Sequence, residues 1–270
     1  PEGQKAIVVI EVKNFWEPRE VARILQQNEP AEKQNLLLVA RYLSPRTREL
    51  LTRSGANYAD DTGNIRIHLA EPAVFIETTG ADRNPWPNKQ VLSSLKGPAA
   101  ARVIRGLCDL CPPYGIRELS KRIQVPPSSV SRVTKILERE ALITRDAKNR
   151  INGVTWKDLI TRWVQDYSST GSGSFQSYVA PRGLTDVQNR LEEWSEMYGV
   201  TGSFAVDKLI AAAPSRLMMV YATSPAKLSE YLELTVADRG LNLMLLEPLD
   251  PVVFERMRIV DNLQCCAVSQ

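Results

Sequence analysis

Apolar runs and helical stripes alternate through residues 1–95. The run Ala6–Lys13 reads as a buried strand, and Asn35–Ala40 as a second. Between them Val21, Ile24 and Leu25 fall on one side of a helix over Pro18–Gln27. A further helix over Pro45–Arg53 stops before Gly55, and Asn64–Leu69 alternates as a strand does. Strand, helix, strand, helix, strand is the order of an α/β lobe.

The period then changes. Ala100, Val103, Ile104, Leu107 and Leu110 make a helical stripe that Pro112-Pro113 ends, because proline lacks a donor and blocks the next turn. A short helix over Ile116–Ile123 follows, broken by Pro126-Pro127, and a third over Ser128–Ala141 buries Val130, Val133, Ile136 and Leu137. The opposite side of this helix carries Ser128, Ser131, Arg132, Lys135 and Arg139, with Ser129 beside them. Leu142–Arg145 and Arg150–Val154 flank the polar turn Asp146–Asn149, predicting a hairpin with Arg145, Lys148 and Arg150 near its tip. Three helices and a basic hairpin, in this order, make a winged helix-turn-helix over residues 96–157.

Residues 158–270 return to α/β patterning. Trp156, Leu159, Ile160 and Trp163 predict a helix leaving the hairpin, with the tryptophans in the core. Ser168–Ser174 reads as a linker, Thr185–Met197 as a helix, Leu217–Tyr221 and Leu241–Leu246 as strands, and Pro225–Leu232 as a helix. Thr201-Gly202-Ser203 is not followed by Gly-Lys-Ser/Thr, so it is no P-loop. A regulatory or partner-binding lobe is the expectation here.

Charge separates the three regions. Residues 1–95 hold 12 Lys+Arg and 12 Asp+Glu, residues 96–157 hold 13 and 5, and residues 158–270 hold 9 and 14. A cationic surplus confined to the middle is the electrostatic footprint of a phosphate-backbone reader. Short hydroxyls at the start of a helix and long cations further along suit insertion into a major groove, with the hairpin on the adjacent backbone. With 43% hydrophobic and 24% charged residues the chain is globular rather than disordered. It has neither an apolar stretch of about 18 residues nor the opening pattern of a secretory signal, so a cytoplasmic, nucleoid-associated protein is expected.

An enzymatic alternative rests on Glu11 and Lys13, two apart on a strand and so on one face. A carboxylate binding Mg²⁺ beside a lysine is half of a metal-dependent endonuclease or resolvase site, which also needs an aspartate from a neighbouring strand. Asp60 and Asp61 are the candidates, and their turn-like setting equally suits turn formation. The expectation is a nuclease-like fold without catalysis, and hence no cofactor; Mg²⁺ enters only with the nuclease alternative. Cys108 and Cys111 form one CxxC without a second pair, and His68 is the single histidine, so buried reduced thiols are expected rather than zinc ligands.

Several short motifs occur in a fixed order: Glu11-Val12-Lys13, Ala40–Pro45, Asn57–Asp60 with Thr62-Gly63-Asn64, the winged helix, and Tyr198–Gly202. Together they resemble the actinobacterial helix-turn-helix regulators grouped with AbiEi-type antitoxins of type IV toxin–antitoxin systems. The resemblance implies a DNA-binding repressor acting beside a nucleotidyltransferase-like toxin. A third reading is an antitoxin or scaffold whose acidic C-terminal lobe binds a protein partner. Classical members carry the winged helix at the N-terminus, whereas here an α/β lobe precedes it. Symmetric operators would imply a homodimer, although no heptad helix marks an interface.

Overall fold

The computed structural model describes residues 5–86, 94–168, 174–210 and 215–267. Proline at the first helical position starts α1 (Pro18–Gln27), α2 (Pro30–Gln34), α3 (Pro45–Arg53) and α4 (Pro98–Asp109). It also starts α6 (Pro127–Arg139) and α10 (Pro225–Tyr231), while α5 (Ile116–Ile123) begins after Gly115. The fixed φ of proline suits this position, where its missing N–H would have had no partner. The architecture is mixed α/β, in two units: residues 1–93 with 132–153, and 94–131 with 154–270.

The first unit holds a five-stranded sheet in the order β1 (Val9–Val12), β2 (Leu36–Ala40), β3 (Asn57–Asp60), β4 (Ile65–Leu69), β5 (Val74–Thr78). The β1–β2 and β2–β3 pairs are parallel, and β3–β4 and β4–β5 are antiparallel. Leu36, Leu38, Ala40 and Tyr58 form one core with Trp16, Val21 and Leu25 at α1 and Leu51 of α3. Both helices therefore stand on the same face of the sheet. The unit also contains the end of α6 and the hairpin of β6 (Ile143–Arg145) and β7 (Ile151–Val154).

One expectation is corrected here. The Ala6–Lys13 run is an edge strand rather than a buried one, with Val9, Ile10 and Val12 all more than half exposed. A continuous apolar run fits a strand covered on both faces, but Val9 on one face of β1 and Ile10 and Val12 on the other are all left exposed.

The second unit holds a seven-stranded sheet. Its order is β11 (Thr235–Val236), β8 (Phe175–Val179), β12 (Leu243–Leu246), β10 (Met218–Ala222), β9 (Tyr198–Thr201), β14 (Leu263–Cys265), β13 (Arg258–Val260). Val187 and Leu191 of α8 (Leu184–Glu192), Phe204 of α9 (Gly202–Ile210) and Leu228 of α10 pack with Val200, Val220 and Leu245 of the strands. The predicted helix over Thr185–Met197 ends early, at Glu192, and Tyr198–Thr201 is a fully buried strand that the sequence reading did not identify. Ser169–Gly173 of the expected linker, and Pro87–Lys89 of the connection into the basic region, lie outside the described residues. Of the two core tryptophans expected on α7 (Trp156–Ser168), Trp163 is buried and Trp156 is 54% exposed. Of the thiols, Cys265 and Cys266 are buried but Cys111 is exposed.

Part of the cationic surplus proves structural. Arg105 on α4 is fully buried and donates from Nη2 to the Glu255 carbonyl at 2.9 Å, while burial lowers its pKa. Arg102 pairs with Glu255 at 2.6 Å, and Arg256 with Asp109 at 2.8 Å. These contacts fasten α4 to the chain after the short 3-10 helix Pro251–Phe254. Among the described residues no helix is long and apolar enough to cross a membrane.

Helix α4 approaches α5 where Gly106 faces Ile123: a Cβ on Gly106 would lie 2.5 Å from Ile123 Cγ2. Alanine is the better helix former by about 1 kcal/mol, yet overpacking costs about 1–3 kcal/mol. Gly106→Ala is expected to lower the denaturation midpoint, and an unchanged or raised midpoint would show that α4 and α5 have room to part.

Candidate functional site

The candidate positions fall in two places. Glu11 lies on β1, and Lys13 follows directly after the strand with its side chain held by its own neighbours. Its Nζ lies 3.3 Å from Glu20 Oε1 and 4.3 Å above the Trp16 ring, whose Nε1 donates to the Val39 carbonyl.

Asp60, two strands away on β3, is almost completely buried and saturated with donors. Oδ1 accepts from Thr62 N at 2.9 Å, Thr62 Oγ1 at 2.6 Å and Asn64 N at 3.1 Å. Oδ2 accepts from Leu43 N at 3.0 Å and Asn64 Nδ2 at 2.9 Å. Asn64 in turn accepts from Arg48 and from Gly80 N. Burial alone would raise the Asp60 pKa, but the hydrogen bonds from Thr62, Asn64 and Leu43 outweigh it and hold the carboxyl below its ordinary value. These five bonds shape the β3–β4 turn. Asp61 is an exposed turn residue whose N–H reaches the Ala40 carbonyl at 3.3 Å. Among the described residues, no cluster of three or more His, Cys, Asp or Glu could hold a metal ion.

The second place is α6 with its hairpin. Arg132 and Lys135 are exposed three residues apart on α6, and Lys148 is exposed at the hairpin turn. Among the described residues these three have no ion-pair partner. Ser128, at the start of the helix, is exposed; Ser129 and Ser131 are half-buried. The turn itself is organised by Asp146, which accepts from Lys148 N and Arg150 N at 2.9 Å each. It also accepts from Arg150 Nε at 2.8 Å, so the exposed Arg150 is already paired. The backbone bond from Arg150 is the largest influence keeping the Asp146 carboxyl below its ordinary pKa.

Arg139 and Arg145 are engaged by carboxylates. Arg139 Nε lies 3.4 Å from Glu17 Oε1, at the start of α1. Arg145 Nε donates to Glu138 Oε2 at 2.9 Å, and its Nη atoms to the Asn149 carbonyl and Thr134 Oγ1 at 3.2 Å. Arg19 closes the chain of charges, 3.6 Å from both Glu17 and Glu138. Arg46 of α3 adds a 3.4 Å bond to the Glu140 carbonyl. Helix end, hairpin and α1 are thereby joined inside the first unit by alternating charge. Sequence reasoning missed Glu17, Arg19 and Glu138. Their partners stand more than a hundred residues apart in the Glu17 and Arg19 pairs, and no local spacing announces them.

No family model, curated protein or solved structure matches the chain.

The Asp60 knot has a pH signature. A depressed folded-state pKa stabilises fully above the unfolded value, near 3.8, and that stability is lost as pH falls through the lower folded value. Asp60→Asn presents an amide donor to other donors, so it is expected to destabilise by about 2 kcal/mol at pH 7. In paired denaturation series, the gap from wild type should narrow below pH 3.8. A gap constant with pH would show that the carboxylate charge contributes nothing.

Proposed function

We propose that the chain is a duplex-DNA-binding transcription regulator that reads the major groove with α6 and rests the β6–β7 hairpin on the neighbouring backbone. In this reading α4, α5 and α6 with the hairpin form a winged helix-turn-helix over residues 96–157. It stands between a nuclease-like α/β lobe, residues 1–95, and a C-terminal lobe, residues 158–270, that serves regulation or a protein partner. The observation that carries it is a division of labour among cations. Arg132, Lys135 and Lys148 are exposed and, among the described residues, have no carboxylate partner, while Arg139 and Arg145 are paired with Glu17 and Glu138. The first three make the contacts to bases and phosphates, with Ser128 and its neighbours at the helix start. Arg139 and Arg145 are positioning residues, and the exposed Arg150 becomes a phosphate ligand by exchanging Asp146 for the nucleic acid.

The reading extends to the resemblance with AbiEi-type regulators, and calls for no cofactor. The endonuclease alternative loses support from Asp60, whose oxygens are occupied by five hydrogen bonds.

Fluorescence anisotropy with a labelled duplex, across a salt series, tests this. The logarithm of the binding constant should fall linearly with the logarithm of salt concentration. Lys148→Ala is expected to reduce the slope by about one, and Arg132→Ala and Lys135→Ala to weaken binding roughly tenfold or more. Binding indifferent to salt, or variants indistinguishable from wild type, would contradict it.

A further inference from the structure

The CxxC of the chain sits where α4 ends. Cys108 lies in the last turn of α4 and is half-buried, whereas Cys111, just beyond it, is exposed. Leu110 N–H still donates to the Gly106 carbonyl at 3.0 Å, but Leu110 itself is extended, with φ −109° and ψ 130°. A helical residue followed by an extended one, here Asp109 and Leu110, is the backbone of a type VIII turn, whose first and fourth Cα atoms stand less than about 7 Å apart. Disulfides bridge Cα atoms about 4.4–6.8 Å apart. The corner therefore holds Cys108 and Cys111 within reach of each other.

Their surroundings agree. Tyr114 is fully buried, and among the described residues its O–H has no hydrogen-bond partner. Burial pushes its pKa up to about 12, and the charges of Cys108 and Cys111 both act in the same direction, so the two sulfurs stand near one hydroxyl. We propose that Cys108 and Cys111 form a reversible oxidation site, closed to a disulfide by exchange with a low-molecular-weight disulfide of the glutathione class. The exposed Cys111 thiolate attacks one sulfur of oxidised glutathione and expels a glutathione thiolate, leaving a mixed disulfide. Cys108 then loses its proton to solvent, and its thiolate attacks Cys111 Sγ and expels the second glutathione thiolate. Two protein thiols are oxidised and one small disulfide is reduced to two thiols. Burial, with Asp109 beside it, pushes the Cys108 thiol up to about 11, so Cys111 is the point of entry. A protein that stabilises a thiolate favours the reduced pair; this corner destabilises one, which favours the closed bridge. Cys265 and Cys266 are buried, and burial raises both thiols, so neither competes for the small disulfide. The proposal stands apart from DNA binding, because it uses no residue of α6 or of the hairpin.

Peptide mapping of the full chain tests it. Trypsin cuts after Arg105 and Arg117, so both thiols fall in the single peptide Gly106–Arg117, separate from Cys265 and Cys266. The chain is equilibrated with oxidised glutathione, quenched with N-ethylmaleimide under denaturing conditions, and digested. The wild-type peptide should be lighter by two hydrogens, carry no maleimide, and regain both hydrogens in dithiothreitol. Cys108→Ser should stop at a glutathione adduct on Cys111, roughly tenfold or more above the adduct in wild type, because the intramolecular attack is lost. Circular dichroism checks that the variant folds, and the wild-type result needs no variant. Two maleimides on the wild-type peptide, a glutathione adduct that persists there, or a bridge to Cys265 or Cys266 would each overturn the proposal.

Discussion

A relay of alternating charges decides which cations of this protein are available. Glu17 lies between Arg19 and Arg139, and Glu138 between Arg19 and Arg145. All five side chains are partly buried or half-exposed, so each pair is screened and contributes about 1 kcal/mol at most. Their effect is chiefly geometric. They fix the last turn of α6 and the root of the hairpin to the start of α1, leaving Arg132, Lys135 and Lys148 facing water. An excess of 13 basic over 5 acidic residues between positions 96 and 157 suggests a uniformly cationic surface. The structure divides that excess into residues that build, such as Arg102, Arg105, Arg139 and Arg145, and residues that stay exposed, such as Arg132, Lys135 and Lys148.

The legible parts of the fold were those with local signals. Proline at the first helical position and an apolar stripe set both limits of α1 and α3. The prolines at 126 and 127 mark the end of α5, which the structure closes with Gln124 in the left-handed conformation. Strands β3, β9 and β14 were not legible, because Asn57–Asp60, Tyr198–Thr201 and Leu263–Cys265 are short and their burial comes from neighbours distant in sequence. The burial of β1 was misjudged for a related reason: an apolar run looks the same whether its faces are covered by this chain or open. The free cations were visible in the sequence; the carboxylates that occupy Arg139 and Arg145 were not.

Asp60 shows how an acidic residue near a Glu-x-Lys strand can suggest a metal site and have another role. A ligand to Mg²⁺ needs free lone pairs, and five donors already use those of Asp60. The carboxylate that would have completed the nuclease set instead closes the turn that brings β4 beside β3, while Asn64 Oδ1, accepting from Arg48 and from Gly80 N, ties that turn to α3 and to the chain following β5.

The central claim, that α6 and its hairpin read a DNA sequence, is tested most directly by selecting bound duplexes from a random pool at fixed salt. The account predicts enrichment of a defined motif a few base pairs long, lost when Arg132 and Lys135 are both replaced by alanine. Recovery of a pool with no enriched motif, or the same motif from the doubly substituted protein, would contradict it.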